Sequence, residues 1–231
     1  MIRLGVTGTD TGIGKTVVAC ALASALTRRG MRVAAMKPVE TGCEFSDPAR
    51  DGARLARAAA ETRDLSVVAP LVFPEPVAPV LAAELAGSAI DVAALDGAVE
   101  KASRGYDALI VEGAGGLLVP VTNDAAYDKL FARWSLDVVI VAANRLGVIN
   151  HTRLTIAAAR AAGLRVRAVV LNQVADAGGD RSTSHNLRLI HDLEHVPVVE
   201  LPRMPAVDDL ALVATIAERS GLVDLIVADA D

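Results

Sequence analysis

Aromatic side chains are scarce in this chain. One Trp, two Tyr and three Phe make up 3% of its 231 residues, although 52% of the residues are hydrophobic. A core must therefore be built from Ala, Val, Leu and Ile, which suits buried parallel strands covered by Ala-rich helices. Basic runs are also missing. Lys and Arg number 23 against 28 Asp and Glu, giving a formal net charge of −5, and their scatter argues against a nucleic-acid partner. Only two cysteines occur, Cys20 and Cys43, without CxxC spacing. Cys20 falls in an apolar helical pattern and reads as a small core residue, Cys43 lies in a loop, and free thiols suit a reducing cytoplasm. No apolar span approaches the roughly 20 residues a transmembrane helix needs, so no membrane association is expected. The segment Met1 to Val6 lacks the architecture of a signal peptide, and the expected location is cytoplasmic.

What the sequence does contain is alternation. Short apolar runs at residues 4–7, 32–37, 107–112, 137–142, 166–172 and 196–201 read as strands. Helical patterns cover residues 15–29, 51–61, 80–86, 91–103, 151–162, 183–194 and 206–219. Residues 70–79 carry four prolines and read as extended or turning. Such alternation predicts an α/β fold, a mostly parallel central sheet with helices on both faces. With no repeat, low-complexity segment or linker, residues 1–231 are expected to form one domain. Chemistry on such a sheet belongs at the carboxyl ends of the strands. The polar and glycine-rich segments fall there, which predicts one shared site.

The strongest local signal runs from Thr7 through Gly8-Thr9-Asp10-Thr11-Gly12-Ile13-Gly14-Lys15-Thr16. It follows a strand and opens a helix, as a phosphate loop does. Gly12 and Gly14 let backbone N–H groups turn toward phosphate oxygens, and the helix N-terminus adds positive potential. Lys15 would reach the β- and γ-phosphates and Thr16 would ligate Mg²⁺. Thr9 stands where the general pattern has Gly. Glu112 closes the apolar run Ala108 to Val111 and would meet the same Mg²⁺. Lys37 and the acidic stretch with Glu44, Asp47 and Asp51 are weaker signals taken singly.

Together these segments resemble the dethiobiotin synthetase family of phosphate-loop NTPases. The resemblance rests on Val6-Thr7-Gly8-Thr9-Asp10-Thr11 with Gly14-Lys15-Thr16, Lys37-Pro38-Val39 with Thr41-Gly42, Val111-Glu112-Gly113-Ala114-Gly115-Gly116, Leu146-Gly147-Val148-Ile149-Asn150-His151, and Asn172. These occur in the family's order and spacing to about residue 175; beyond it, Leu201-Pro202 matches a nucleotide-side loop. Thr9 is itself a family trait. Gly12, Arg145 and Gln173 depart from residues common in the family.

The resemblance implies a reaction: ATP- and Mg²⁺-dependent carboxylation and ring closure of 7,8-diaminononanoate with CO₂, through a carbamate and a carbamic–phosphoric anhydride, in biotin biosynthesis. It implies catalytic roles for Lys37, Lys15 and Thr11. Nucleotide contacts are implied for Gly12, Ile13, Gly14, Lys15, Thr16 and Val17, for Asp51, Glu112, Gly113, Ala114 and Gly115, and for Asn172, Gln173, Leu201, Pro202 and Arg203. Thr11, Lys37, Thr41, Gly147, Val148, Ile149 and Asn150 would bind substrate, and Thr16, Asp51 and Glu112 the metal, with Asp47 as the neighbouring candidate for Asp51. His151 reads as structural or substrate-side. The substrate carboxylate would sit on the N–H groups of 147–150 from the other subunit of a homodimer. The competing expectation is a switch ATPase of the partition and septum-site type, which shares the fold but carries a signature Lys where this chain has Asp10.

Overall fold

The computed structural model describes residues 1–174, 180–204 and 208–228. The chain opens with β1 (Ile2–Gly8), α1 (Lys15–Arg28), β2 (Val33–Met36), β3 (Val39–Thr41), α2 (Asp51–Ala58) and α3 (Leu65–Val68). Then come β4 (Leu71–Phe73), α4 (Pro79–Leu85), α5 (Val92–Ser103), β5 (Ala108–Gly116), α6 (Tyr127–Arg133) and β6 (Asp137–Ala143). The remainder is α7 (Val148–Ala161), β7 (Val166–Asn172), α8 (Thr183–Glu194), β8 (Val198–Leu201), α9 (Leu210–Arg219) and α10 (Leu222–Val227).

Six strands form one sheet in the order β2-β5-β1-β6-β7-β8, and every neighbouring pair is parallel. Side chains alternate between its faces. Ala108 and Ile110 of β5 join a core with α1, α2, α9 and α10. Leu109 and Val111 of the same strand join a second core with α4, α5, α6, α7 and α8. The near absence of aromatics has one local exception: Tyr127, Phe131 and Trp134 of α6 and its end pack in series as tilted ring pairs. Their space comes from Gly5, where a Cβ would stand only 2.5 Å from the Phe131 ring.

The mostly parallel α/β fold is as expected, with local differences. β3 and β4 pair in a separate two-stranded parallel sheet that the proline-rich stretch concealed. The short helices α3, α6 and α10 were not anticipated. β5 continues through the glycines to Gly116, so Glu112 lies within the strand, not at its end. α7 begins at Val148, three residues before the expected start at 151, after Gly147 with φ 94°. The last predicted helix begins at Leu210; residues 206–207 of its expected span lie outside the described residues. Among the described residues no helix is long and apolar enough to cross a membrane.

Candidate active site

The central strand β1 delivers the glycine loop between its two neighbours, β5 and β6. The loop turns sharply because Gly12 and Gly14 take positive φ, 72° and 92°, a region that disfavours side chains. Gly14 is also pressed by Asn172, whose Nδ2 donates to Ile13 O at 2.9 Å. Helix α1 starts at Lys15 with no side-chain cap and no acidic residue in its first turn, so its orphan N–H groups and positive dipole end face the loop. Lys15 is buried and its Nζ donates to Asp10 O at 2.8 Å. Burial, and then nearby Lys37, hold its pKa below the usual lysine value. A bound anion there would relieve both effects.

Register brings the second group of residues together. Met36 of β2 pairs with Val111 of β5, so the next residue of each strand, Lys37 and Glu112, meet. Lys37 Nζ lies 2.7 Å from Glu112 Oε1 and 3.0 Å from Asp51 Oδ2, and it donates to Gly113 O at 3.3 Å. Thr16 Oγ1 donates to the same Glu112 Oε1 at 2.8 Å. Glu112 is 0% exposed and its Oε2 has no hydrogen-bond partner. Burial, despite Lys37, pushes the Glu112 carboxyl above its ordinary pKa. Burial works the other way on Lys37, but Glu112 and Asp51 outweigh it and hold that pKa up. Asp51 is desolvated as well, yet Lys37 and Thr16 keep it below the usual carboxylate range.

These groups line a cleft of about 500 Å³ that also takes in Thr11, Thr41, Asp47 and Ala114. Within the acidic stretch the structure separates two candidates. Asp51 reaches Lys37, whereas Asp47 Oδ1 accepts from the nearby Ala49 N–H at 2.8 Å, a local turn bond. Cys43 borders the cleft too, but burial and Glu40 push its thiol up to about 11, so near neutral pH it is protonated and a poor nucleophile.

The donor set fits a hard divalent cation. Thr16, Asp51 and Glu112 offer only oxygen, one carboxylate oxygen is unpartnered, and the Lys37 ammonium already occupies the position of a positive charge between two carboxylates. Among the described residues no three His, Cys, Asp or Glu side chains converge as a metal cage. Mg²⁺ typically needs no such cage, since substrate phosphates and water complete its octahedron.

Two predicted groups lie elsewhere. Asn172 is at the tip of β7, Gln173 N–H donates to Leu201 O at 3.0 Å, and Pro202 and Arg203 follow β8 on the surface. In the sheet order β7 and β8 lie on the opposite side of β1 from β2 and Lys37. Gly147, Ile149 and Asn150 line a different depression with Arg153, Leu154 and Ala157. Val148 N–H is taken by Arg145 O at 3.1 Å, but helix geometry leaves the amides of Ile149 and Asn150 without an intrahelical acceptor. His151 is exposed in this first turn. Residues 147–150 therefore do not enter the Lys37 cleft of their own chain. The sequence reading also passed over Glu40 and Arg50, buried at the cleft wall; an acidic residue in the short apolar run after Pro38 was the available signal.

Comparison with known proteins agrees with this architecture. A family model described as an AAA domain matches residues 3–211. The chain is 41% identical, over 80% of its length and 82% of the relative's, to a protein of Anaeromyxobacter sp. (strain Fw109-5) named ATP-dependent dethiobiotin synthetase BioD. It is 36% identical over 98% of both chains to the protein of that name from Aquifex aeolicus (strain VF5). Among solved structures, a ParA family ATPase from Chlorobium tepidum TLS superposes with a TM-score of 0.56 at 18% identity, over 100% of this chain and 99% of that one; at that identity the likeness concerns fold alone. With relatives of 36–41% identity matched over 80–98% of its length, the chain belongs to the ATP-dependent dethiobiotin synthetase family, enzymes built on the phosphate-loop fold.

Proposed function

We propose that this enzyme closes a cyclic urea on 7,8-diaminononanoate, using CO₂ and ATP. The observation that carries the reading is the convergence of Lys37, Asp51, Glu112 and Thr16 directly beside the phosphate loop. One amine of the substrate adds CO₂ and loses a proton, giving a carbamate. A carbamate oxygen attacks the γ-phosphorus of ATP; the new O–P bond forms, ADP leaves, and a carbamic–phosphoric anhydride results. The second amine attacks the carbamic carbon, the C–O bond to phosphate breaks, a proton is lost and the ring closes.

The residues supply what these steps need. The N–H groups of Gly12 to Val17 cradle the phosphates, with Lys15 against the β- and γ-oxygens. Thr16, Asp51 and Glu112 would hold Mg²⁺, which when bound offsets the charge on the transferring phosphoryl. Lys37 leaves its carboxylates to meet the carbamate and γ-phosphoryl oxygens, where charge builds up in the transition state. Thr11 and Thr41, which both line the cleft, hydrogen-bond the carbamate or the amines. Gly113, Ala114 and Gly115 pass close to the nucleotide, and Asn172, Gln173 and residues 201–203 border the base. The distal carboxylate of the substrate rests on the first-turn amides of 147–150 from the second subunit of a homodimer. The separate depression at Gly147 supports that division, as do the exposed leucines beside it, Leu146 and Leu154. A partition-type switch ATPase is less well supported, because Asp10 occupies the position of that group's signature lysine.

The test is direct. Purified enzyme with diaminononanoate, ¹³C-bicarbonate, Mg²⁺ and ATP should yield a product with the label in a urea carbonyl, seen by carbon NMR. Label that stays in bicarbonate while ATP is consumed would refute the reading.

A further inference from the structure

Glu40 and Arg50 play no part in the steps above, yet they form a deeply buried ion pair beside the cleft. Arg50 Nη1 lies 2.6 Å from Glu40 Oε2, with the two side chains 0% and 4% exposed. Arg50 Nε also donates to Phe45 O at 3.0 Å, and its guanidinium covers the Phe45 ring at 4.6 Å. The Glu40 carboxylate accepts in addition from Gly52 N–H, at 3.2 and 3.3 Å to its two oxygens. Space is tight: a Cβ on Gly52 would stand 2.7 Å from Arg50 Nη1 and 2.7 Å from Ala69.

Burying such a pair gives little net stability, because apolar residues of similar volume commonly do as well or better. Its effect here is on placement. Asp51 is the first residue of α2, and Arg50, in the capping position, makes no side-chain cap bond. The orphan amide of Gly52 is satisfied instead by Glu40, a residue of β3. One carboxylate thus fixes both neighbours of Asp51: Arg50 through its side chain and Gly52 through its backbone. Asp51 itself is 34% exposed at the side chain and touches Lys37.

The geometry points to Glu40 and Arg50 as positioning residues that aim the Asp51 carboxylate at Thr16, Lys37 and Glu112 and so set the affinity of the site for a divalent cation. This rests on the reading above that Asp51 is a metal ligand. Outer partners of metal-binding carboxylates typically change metal affinity by 10–100-fold when altered. Arg50→Lys keeps a charge opposite Glu40 but loses the planar fork whose Nε and Nη1 serve Phe45 O and Glu40 separately.

The experiment is a double-mutant cycle on Mn²⁺ binding to the ADP-bound protein, followed by electron paramagnetic resonance. The variants are Arg50→Lys, Asp51→Asn and both together. The expected result is about a 10-fold weaker Mn²⁺ affinity for Arg50→Lys, with ADP affinity in metal-free buffer unchanged. In the Asp51→Asn background Arg50→Lys should add nothing, since the two residues act through one carboxylate. An equal loss in both backgrounds, or no loss at all, would overturn the positioning role and leave Asp51 as a ligand. Unchanged Mn²⁺ affinity in Asp51→Asn alone would remove Asp51 from the metal site, and the inference with it. If Arg50→Lys fails to fold, Glu40→Gln, which keeps an acceptor for Gly52 N–H, takes its place in the same cycle with the same expected and contrary results.

Discussion

Lys37 Nζ and Glu112 Oε1 are 2.7 Å apart and both side chains are out of solvent, so the site neutralises a fully buried carboxylate with its own lysine. The same lysine holds Asp51. On the proposed reading Thr16, Asp51 and Glu112 would hold a divalent cation, which would compete with Lys37 for the two carboxylates.

That competition has a measurable consequence. Lys37→Gln leaves Glu112 buried beside an uncharged partner, a type of change that typically costs about 3–5 kcal/mol. Mg²⁺ should recover part of the loss, so it should raise Tm more in Lys37→Gln than in the wild-type enzyme. Equal shifts in thermal unfolding would mean that Lys37 does not stand where the cation binds.

The fold around these residues was legible where it depended on local spacing. Gly12, Gly14, Lys15 and Thr16 announce a strand-to-helix phosphate loop within ten residues. The meeting of Lys37 with Glu112 was not legible from local signals, because it depends on β2 lying next to β5 with Met36 opposite Val111. The resemblance to a family gave both residues roles in one site but did not pair them. Glu40 and Arg50 went unnoticed because an acidic, arginine-containing loop looks solvated until its tertiary partners are known. The start of α7 was misplaced because Val148 and Ile149 read as loop after Gly147. The paired strands β3 and β4 are only three residues each, too short to register against the surrounding prolines.

Asn172 tests the nucleotide loop. Its amide holds Ile13 O and leaves no room for a side chain at Gly14, which has φ 92°. Asn172→Ala should weaken ATP binding about 10-fold, the scale of one well-formed hydrogen bond. Gly14→Ala should do worse, through both collision and backbone strain. Combining the two should cost less than the sum, because the collision disappears with the amide. Strict additivity by calorimetry would show that the two positions are not in contact.

The proposed dimer is open to complementation. A Lys37→Ala subunit keeps its own 147–150 segment, and a subunit disrupted at Asn150 keeps its Lys37. Verified heterodimers of the two should regain part of the activity that each homodimer lacks. Recovery would place the substrate carboxylate on the second subunit; inactive heterodimers would mean that each site is built from one chain.

The central claim is that the nucleophile toward ATP is a carbamate made from the diamine and CO₂, with Lys37 stabilising the transfer. The most direct measurement is ADP release with each component left out in turn. ADP should form only when diamine, CO₂ and Mg²⁺ are all present. Lys37→Gln should slow kcat by roughly 10²–10³ while ATP affinity measured without Mg²⁺ changes little. Steady ADP release without diamine, at a rate indifferent to Lys37→Gln, would contradict the account and make the protein a water-dependent ATPase.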